Sequence, residues 1–148
     1  MWTGWCGRVP GGGARGDAAG MDGMGWTVAQ VALGGALGSV ARFAVQMGSV
    51  RLFGPGVPLG TLGINVAGCF LMGVLFIWLA ERGLLRAAPF LMGGVLGGFT
   101  TFSAFSLDAL LLWERGHQVL AMGYVAASVL LSLAAVAAGV WMMRGSGL

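Results

Sequence analysis

Four long apolar runs, joined by connections too short to hold a soluble domain, constrain this chain more than any other feature. They cover residues 26–47, 59–80, 89–113 and 119–143. Each is long enough to cross the hydrocarbon core of a bilayer, which takes about 20 residues of helix. Inside lipid every backbone N–H and C=O must be satisfied within the protein, so continuous apolar runs of this length predict helices. Four spans place both termini on one side. The connections are "GSVRLFGPGVP", "ERGLLRAA" and "ERGHQ". Charge agrees: 9% of the 148 residues are charged and 57% are hydrophobic, whereas a soluble domain carries about 25% charge. The expected fold is an all-α integral membrane protein with one transmembrane domain over residues 26–143.

Residues 1–25, "MWTGWCGRVPGGGARGDAAGMDGMG", are glycine-rich and contain no apolar run. They lack the hydrophobic region of a signal peptide and read as a disordered N-terminal extension. Met21 or Met24, directly before the first span, reads as the true start. Residues 144–148 read as a short C-terminal tail.

Several function classes are excluded. The formal charge is +3, every basic residue is Arg, and no basic run is present, so a nucleic-acid partner is not expected. Cys6 and Cys69 form no metal or redox spacing, and Cys69 reads as a small apolar helix residue. His117, the only histidine, sits in a polar connection. Hydrolytic, redox and zinc chemistry lack their residues, and the chain does not read as an enzyme.

The polar residues inside the spans carry the functional signal, because each must be paired or face a polar path. Span one holds Arg42, near a membrane boundary. Span two holds Thr61, Asn65 and Cys69, four apart on one face. Span three holds Thr100, Thr101, Ser103 and Ser106, then Asp108 nearer its end. Span four holds Tyr124, Ser128 and Ser132, again four apart. At 1.5 Å per residue these last three define a stripe about 12 Å long. No carboxylate occurs between Trp26 and Ala80, which argues against the small multidrug exporters that need one in their first span. The donors are neutral hydroxyls and one carboxamide, suited to a small anion. Phe102 and Phe105 lie three apart, and their positive ring edges can line an anion path. The other reading of these residues is a structural membrane assembly protein, in which polar groups only join helices.

Glycines recur at helix spacing. Gly34/Gly38 read as ordinary packing within the chain. Gly93/Gly97 and Gly94/Gly98 overlap in span three, and a helix is weakest at Gly97–Gly98, where each Gly costs about 1 kcal/mol relative to Ala. Unwinding the third helix there would free carbonyl oxygens, hard ligands suited to a hard cation.

The segments "GGALGSVARF" (34–43), "GTLGINVAGCFLMG" (60–73) and "GGFTTFSAFS" (97–106) resemble the signature segments of the bacterial fluoride channels, the Fluc or CrcB-type family. With Tyr124, Ser128 and Ser132 the likeness extends over residues 26–143. It implies a dual-topology antiparallel homodimer of four-helix subunits, the third helix broken at its centre, in the bacterial plasma membrane, in contact with lipid, passing fluoride passively outward; the glycine cost at Gly97–Gly98 agrees with a break at that point. It implies a structural sodium ion on the dimer axis, held by the backbone carbonyls of Gly97 and Thr100. It implies a fluoride pathway along Asn65, Thr101, Phe102, Ser103, Phe105, Tyr124, Ser128 and Ser132, with Arg42 at the pore entrance. Ala104 departs from the family's usual Thr or Ser, Phe43 from Tyr, and Asp108 from Glu.

Orientation is nearly unbiased. Arg82, Arg86 and Arg144 fall on one side, Arg51 and Arg115 on the other; Arg8 and Arg15 precede the first span. Positive charge in short connections normally sets a membrane protein's orientation. A reporter fused to the C-terminus is therefore expected on both sides of the membrane, and a single orientation in a protease-accessibility assay refutes dual insertion.

Overall fold

The computed structural model describes residues 14–54, 56 and 58–145, with side chains from Gly23 onward. Its helices are α1 (Ala14–Phe53), α2 (Leu59–Glu81), α3 (89–99), α4 (Phe102–Glu114) and α5 (Gln118–Gly145). A 3-10 turn, Leu85–Ala87, leads into α3, which is π-helical over Pro89–Leu96 and α-helical over Gly97–Phe99. Among the described residues, four spans have the length and apolarity to cross a membrane: Gly23–Phe53, Leu59–Glu81, Leu85–Glu114 and Gln118–Gly145. These contain the four runs read from sequence.

The first helix starts earlier than the apolar pattern indicates and takes in residues 14–25 of the segment read as disordered. No proline stands between Pro10 and Pro55. Once nucleated in the span, a helix extends at one hydrogen bond per residue. Residues 1–13, and with them Cys6 and Arg8, lie outside the described residues, as does the tail beyond Gly145.

Glycines stop the helices. Gly54 (φ +76°) follows α1, Gly83 (φ +66°) follows α2 and Gly116 (φ +82°) follows α4. The last two occupy the same tripeptide, Glu-Arg-Gly, and close the same motif. Leu84 N–H donates to Leu79 O (2.9 Å) and Gly83 N–H to Ala80 O (3.3 Å); His117 N–H donates to Leu112 O (3.0 Å) and Gly116 N–H to Trp113 O (3.0 Å). This is the Schellman arrangement, in which a left-handed glycine turns the chain back onto the orphan carbonyls of the last turn.

Packing proceeds through backbone-to-backbone approach. A Cβ on Gly34 would collide with Phe90 O, one on Gly38 with Val95 O, and one on Gly98 would lie 2.6 Å from Gly35 O. The Gly34/Gly38 pair thus does pack within the chain, against α3. A second crossing joins α2 to α5. There Gly73 sits on the backbone of Val136 and Val140, and Gly139 on that of Phe70 and Val74.

The break in the third span lies at Thr100–Thr101, not at Gly97–Gly98 as the glycine cost suggests. Gly97 keeps helical angles (φ −63°, ψ −37°), and Gly98 is occupied by its approach to Gly35. The glycines make contacts; the β-branched threonines, which resist helix more than straight chains do, make the break. Its consequence is a change of partner: α3 packs on α1, whereas α4 has no contact with α1 and packs on α5.

Gly38→Val is expected to lower thermal stability in detergent by about 1–3 kcal/mol, the usual cost of overpacking, because its branch meets main chain that cannot yield. Gly25→Ala, which meets nothing within 4 Å, should leave the melting temperature unchanged or slightly raised.

Candidate functional site

The break positions the site. Thr100 (φ −76°, ψ 156°) and Thr101 (φ −151°, ψ 118°) are extended between two helical segments. At this depth no water is at hand, so their peptide groups need partners. Asn65 of α2 supplies both for Thr101. Thr101 N–H donates to Asn65 Oδ1 (2.9 Å), and Asn65 Nδ2 donates to Thr101 O (3.0 Å). The Thr101 side chain caps α4, its Oγ1 accepting from Ala104 N–H at 3.2 Å, with Ser103 Oγ 3.3 Å away. Thr100 bonds back to Leu96 O through both N–H (2.9 Å) and Oγ1 (3.0 Å). A Cβ on Gly68 would overlap Thr100 Cγ2, so Gly68 is what lets the end of α3 lie against α2.

A groove of about 250 Å³ opens at this break. Its walls are Asn65 and Cys69 of α2, Thr100 and Thr101, Phe102 and Phe105 of α4, and Ser128 and Ser132 of α5. The two stripes seen in sequence thus face one another. Spans two and four run in the same direction, and the Gly73–Val136 contact sets their register. With that register Thr61 stands level with Tyr124, Asn65 with Ser128, and Cys69 with Ser132, the sequence separation being identical in every pair.

Two hydroxyls along this line are buried without a well-formed hydrogen bond. Tyr124 is 4% exposed and Ser128 5%, yet neither hydroxyl meets full hydrogen-bond geometry; the Tyr124 hydroxyl stands close to Ser128, Thr61 and Asp108 without closing a well-formed bond to any of them. Buried polar atoms are normally satisfied, and leaving one bare costs about 1–3 kcal/mol. Ser106 shows the ordinary alternative, bonding back to Phe102 O at 2.9 Å; Ser128 does not take it. The aromatic rings continue the wall. Phe105 is buried between Phe102 (centroids 5.4 Å, 51°) and Tyr124 (5.6 Å, 39°), while Phe102 is 78% exposed. The two phenylalanines therefore touch but do not share one environment.

The sequence profile described as "CrcB-like protein, Camphor Resistance (CrcB)" matches residues 29–140. The chain is 60% identical over 119 residues to a protein of Paracoccus denitrificans (strain Pd 1222), covering 80% of this chain and 95% of the relative. It is 62% identical over 116 residues to one of Cereibacter sphaeroides (strain ATCC 17029 / ATH 2.4.9), covering 78% and 93%. It is 50% identical over 119 residues to one of Agrobacterium fabrum (strain C58 / ATCC 33970), covering 79% and 95%. All three relatives bear the name "Fluoride-specific ion channel FluC".

The chain belongs to the CrcB family. It is a multi-pass membrane protein, and the matched residues take in every member of the groove.

The remaining residues singled out from sequence lie around the groove of this CrcB protein. Ser103 is exposed and next to the break, Gly97 is exposed one turn before it, and Thr100, half-buried, is part of the break itself and of the groove wall. Arg42 is half-buried on α1 and does not line the groove. Asn65 was legible as a polar group in a membrane span, but its bond to the Thr101 peptide was not. Sequence reasoning also missed a contact at the end of the line. Thr61 Oγ1 donates to Asp108 Oδ2 at 2.7 Å, and both border a second hollow of about 240 Å³ with Gln46, Ser49 and Arg115. Thr61 headed the α2 stripe in sequence; only the partner on α4 was hidden.

Asn65→Ala strips the Thr101 N–H and C=O of their partners at once. A loss of about 1–3 kcal/mol for each stranded group is expected, read as a lower melting temperature in detergent. An unshifted melt shows that the break does not depend on Asn65.

Proposed function

We propose that this protein is a fluoride-selective channel, not an enzyme, and that fluoride passes along the groove beside the broken helix. The observation that carries this reading is the pair of buried hydroxyls, Tyr124 and Ser128, that stand close together in line with the groove yet lack a well-formed hydrogen bond inside the protein. Membership of the CrcB family, with FluC relatives at 50–62% identity, supports the choice of ion.

The chemistry follows from the donors. An anion stripped of water in an apolar medium costs tens of kcal/mol. A hydrogen bond to a charged partner returns about 1.5–3 kcal/mol, so several donors must act at each point. Ser128, Ser132 and Tyr124 offer hydroxyl hydrogens. Asn65 keeps one N–H of its carboxamide beyond the bond to Thr101, since the amide nitrogen carries two. Phe102 and Phe105 supply positive ring edges and exclude water. Thr101 and Ser103 add hydroxyls at the break. Arg42 concentrates anions at the entrance. These groups are uncharged along the path itself, so they bind an anion without holding it fast. A membrane potential negative inside drives the anion outward with about 2.3 kcal/mol per 100 mV. Fluoride that entered a bacterium as neutral HF and dissociated would leave the plasma membrane by this route with no coupled proton.

An inverted homodimer completes the path. In a single chain Phe102 is largely exposed, and no span buries more than 28% of its most apolar stretch; lipid and a second copy are the surfaces that would cover them. On the axis of that dimer we place a structural sodium ion, bound by the carbonyls of Gly97 and Thr100. Two features support those ligands. The helical donor for Gly97 O is the N–H of Thr101, and Asn65 has taken it. The extended ψ of Thr100 turns its carbonyl off the helix axis. Such oxygens are hard ligands for a hard cation. The ion would hold two broken helices together, and the residues named for fluoride do not require it to take part in conduction.

Purified protein in potassium-loaded liposomes should release fluoride, and retain chloride, once an ionophore supplies potassium permeability. Fluoride trapped under those conditions overturns the channel reading. Ser128→Ala separates a path from helix glue. It removes no well-formed hydrogen bond within the protein, so the melt should hold closely, while flux falls by about tenfold, equivalent to about 1.4 kcal/mol on the barrier. Phe102→Ile should lower flux to a similar degree in a dimer that still assembles. Full flux in both variants leaves these residues as packing and favours a structural assembly role.

A further inference from the structure

We propose that Cys69 forms part of the ion path, and that its thiol is a modification site through which a small thiol reagent shuts the channel. The inference rests on the groove being the path, and it reassigns a residue that reads from sequence as apolar filler. Three observations carry it. Cys69 is half-buried rather than enclosed, and it is the free cysteine among the described residues. It lines the same groove as Ser128 and Ser132. Ser128, 95% buried, lines that groove with a hydroxyl that has no well-formed hydrogen bond, which marks the wall as suited to a polar guest.

Register explains why the thiol belongs to the line. The Gly73–Val136 contact holds α2 and α5 so that Cys69 stands level with Ser132, one turn beyond the Asn65–Ser128 level. A residue one turn along a helix lies about 5.4 Å further on. An ion moving from Ser128 to Ser132 therefore moves from the Asn65 carboxamide to the Cys69 thiol. On one side of this rung the donor is a hydroxyl. On the other it is an S–H, a weak donor with a polarisable sulfur. The rung is thus the point of the path that holds fluoride least firmly and the point open to sulfur chemistry.

Methyl methanethiosulfonate is a neutral reagent small enough to enter. The Cys69 sulfur, as thiolate, attacks the sulfenyl sulfur. The S–S bond of the reagent breaks, methanesulfinate leaves with the electron pair, and the thiol proton goes to solvent. Cys69 is left as a methyl disulfide, with two further heavy atoms in a groove of about 250 Å³. No oxidant is needed, and a dithiol reverses the step.

The experiment uses full-length protein carrying Cys6→Ser, reconstituted in liposomes for fluoride efflux and followed in parallel by intact mass. Treatment should add one methylthio group per chain, lower the initial flux at least tenfold, and be reversed by dithiothreitol. Fluoride in the bath should slow the modification, because ion and reagent compete for one space; a merely buried structural thiol gives no such protection. Adding Cys69→Ser should abolish both mass gain and inhibition, with the same flux before and after treatment. An unmodified Cys69 in a conducting protein overturns the inference and leaves the channel reading standing, as does a modified Cys69 at full flux. No fluoride flux before treatment overturns the channel reading and this inference with it.

Discussion

A helix interrupted inside a bilayer strands peptide groups where no water can reach them, and in this protein the Asn65 carboxamide is what they bond to. Its two ends match the N–H and C=O of Thr101 at 2.9 and 3.0 Å. The rest of the molecule depends on that pairing. It permits extended backbone at Thr100–Thr101, where a hydrocarbon solvent would otherwise enforce helix. The break then lets the third span leave α1 and pack its second half on α5. Without that exchange Phe105 would not meet Tyr124, and Thr61 would not reach Asp108.

Glycine contacts do the complementary work of setting register. In a membrane the hydrophobic effect gives no preference between one apolar helix face and another, so close approach of small residues decides which faces meet. Gly34, Gly38 and Gly98 seat α1 on α3; Gly73 and Gly139 seat α2 on α5. The second crossing carries functional weight, because a shift of one turn between α2 and α5 would separate Asn65 from Ser128. The polar line is therefore a by-product of main-chain contacts made further along the same two helices.

The resulting surface is polar but uncharged between its ends. Asp108 and Arg115 border one hollow, and Arg42 lies apart from the groove on α1. Between them come hydroxyls, a carboxamide, aromatic edges and one thiol. Hydroxyl, amide and ring-edge groups can each stabilise an anion without the full charge of an ion pair. None of them is a carboxylate.

Much of this was legible in the sequence by itself. The four spans followed from run length, because the thickness of a bilayer sets how many apolar residues a helix must have. The two polar stripes followed from spacing of four, because a helix returns to one face at that interval. Membership of the fluoride-channel family followed from three short segments. What the tertiary structure alone decided was which of these faced which. Gly97–Gly98 looked like the break on propensity, yet close packing of α3 on α1 kept those glycines helical and moved the break to Thr100–Thr101. The bonds of Asn65 to Thr101 and of Thr61 to Asp108 join residues on different helices, and Cys69 shares a groove with Ser128 and Ser132 only because α2 packs on α5. Local periodicity reports the face on which a residue lies; the partner it meets there depends on contacts between segments distant in the chain, which no local pattern encodes.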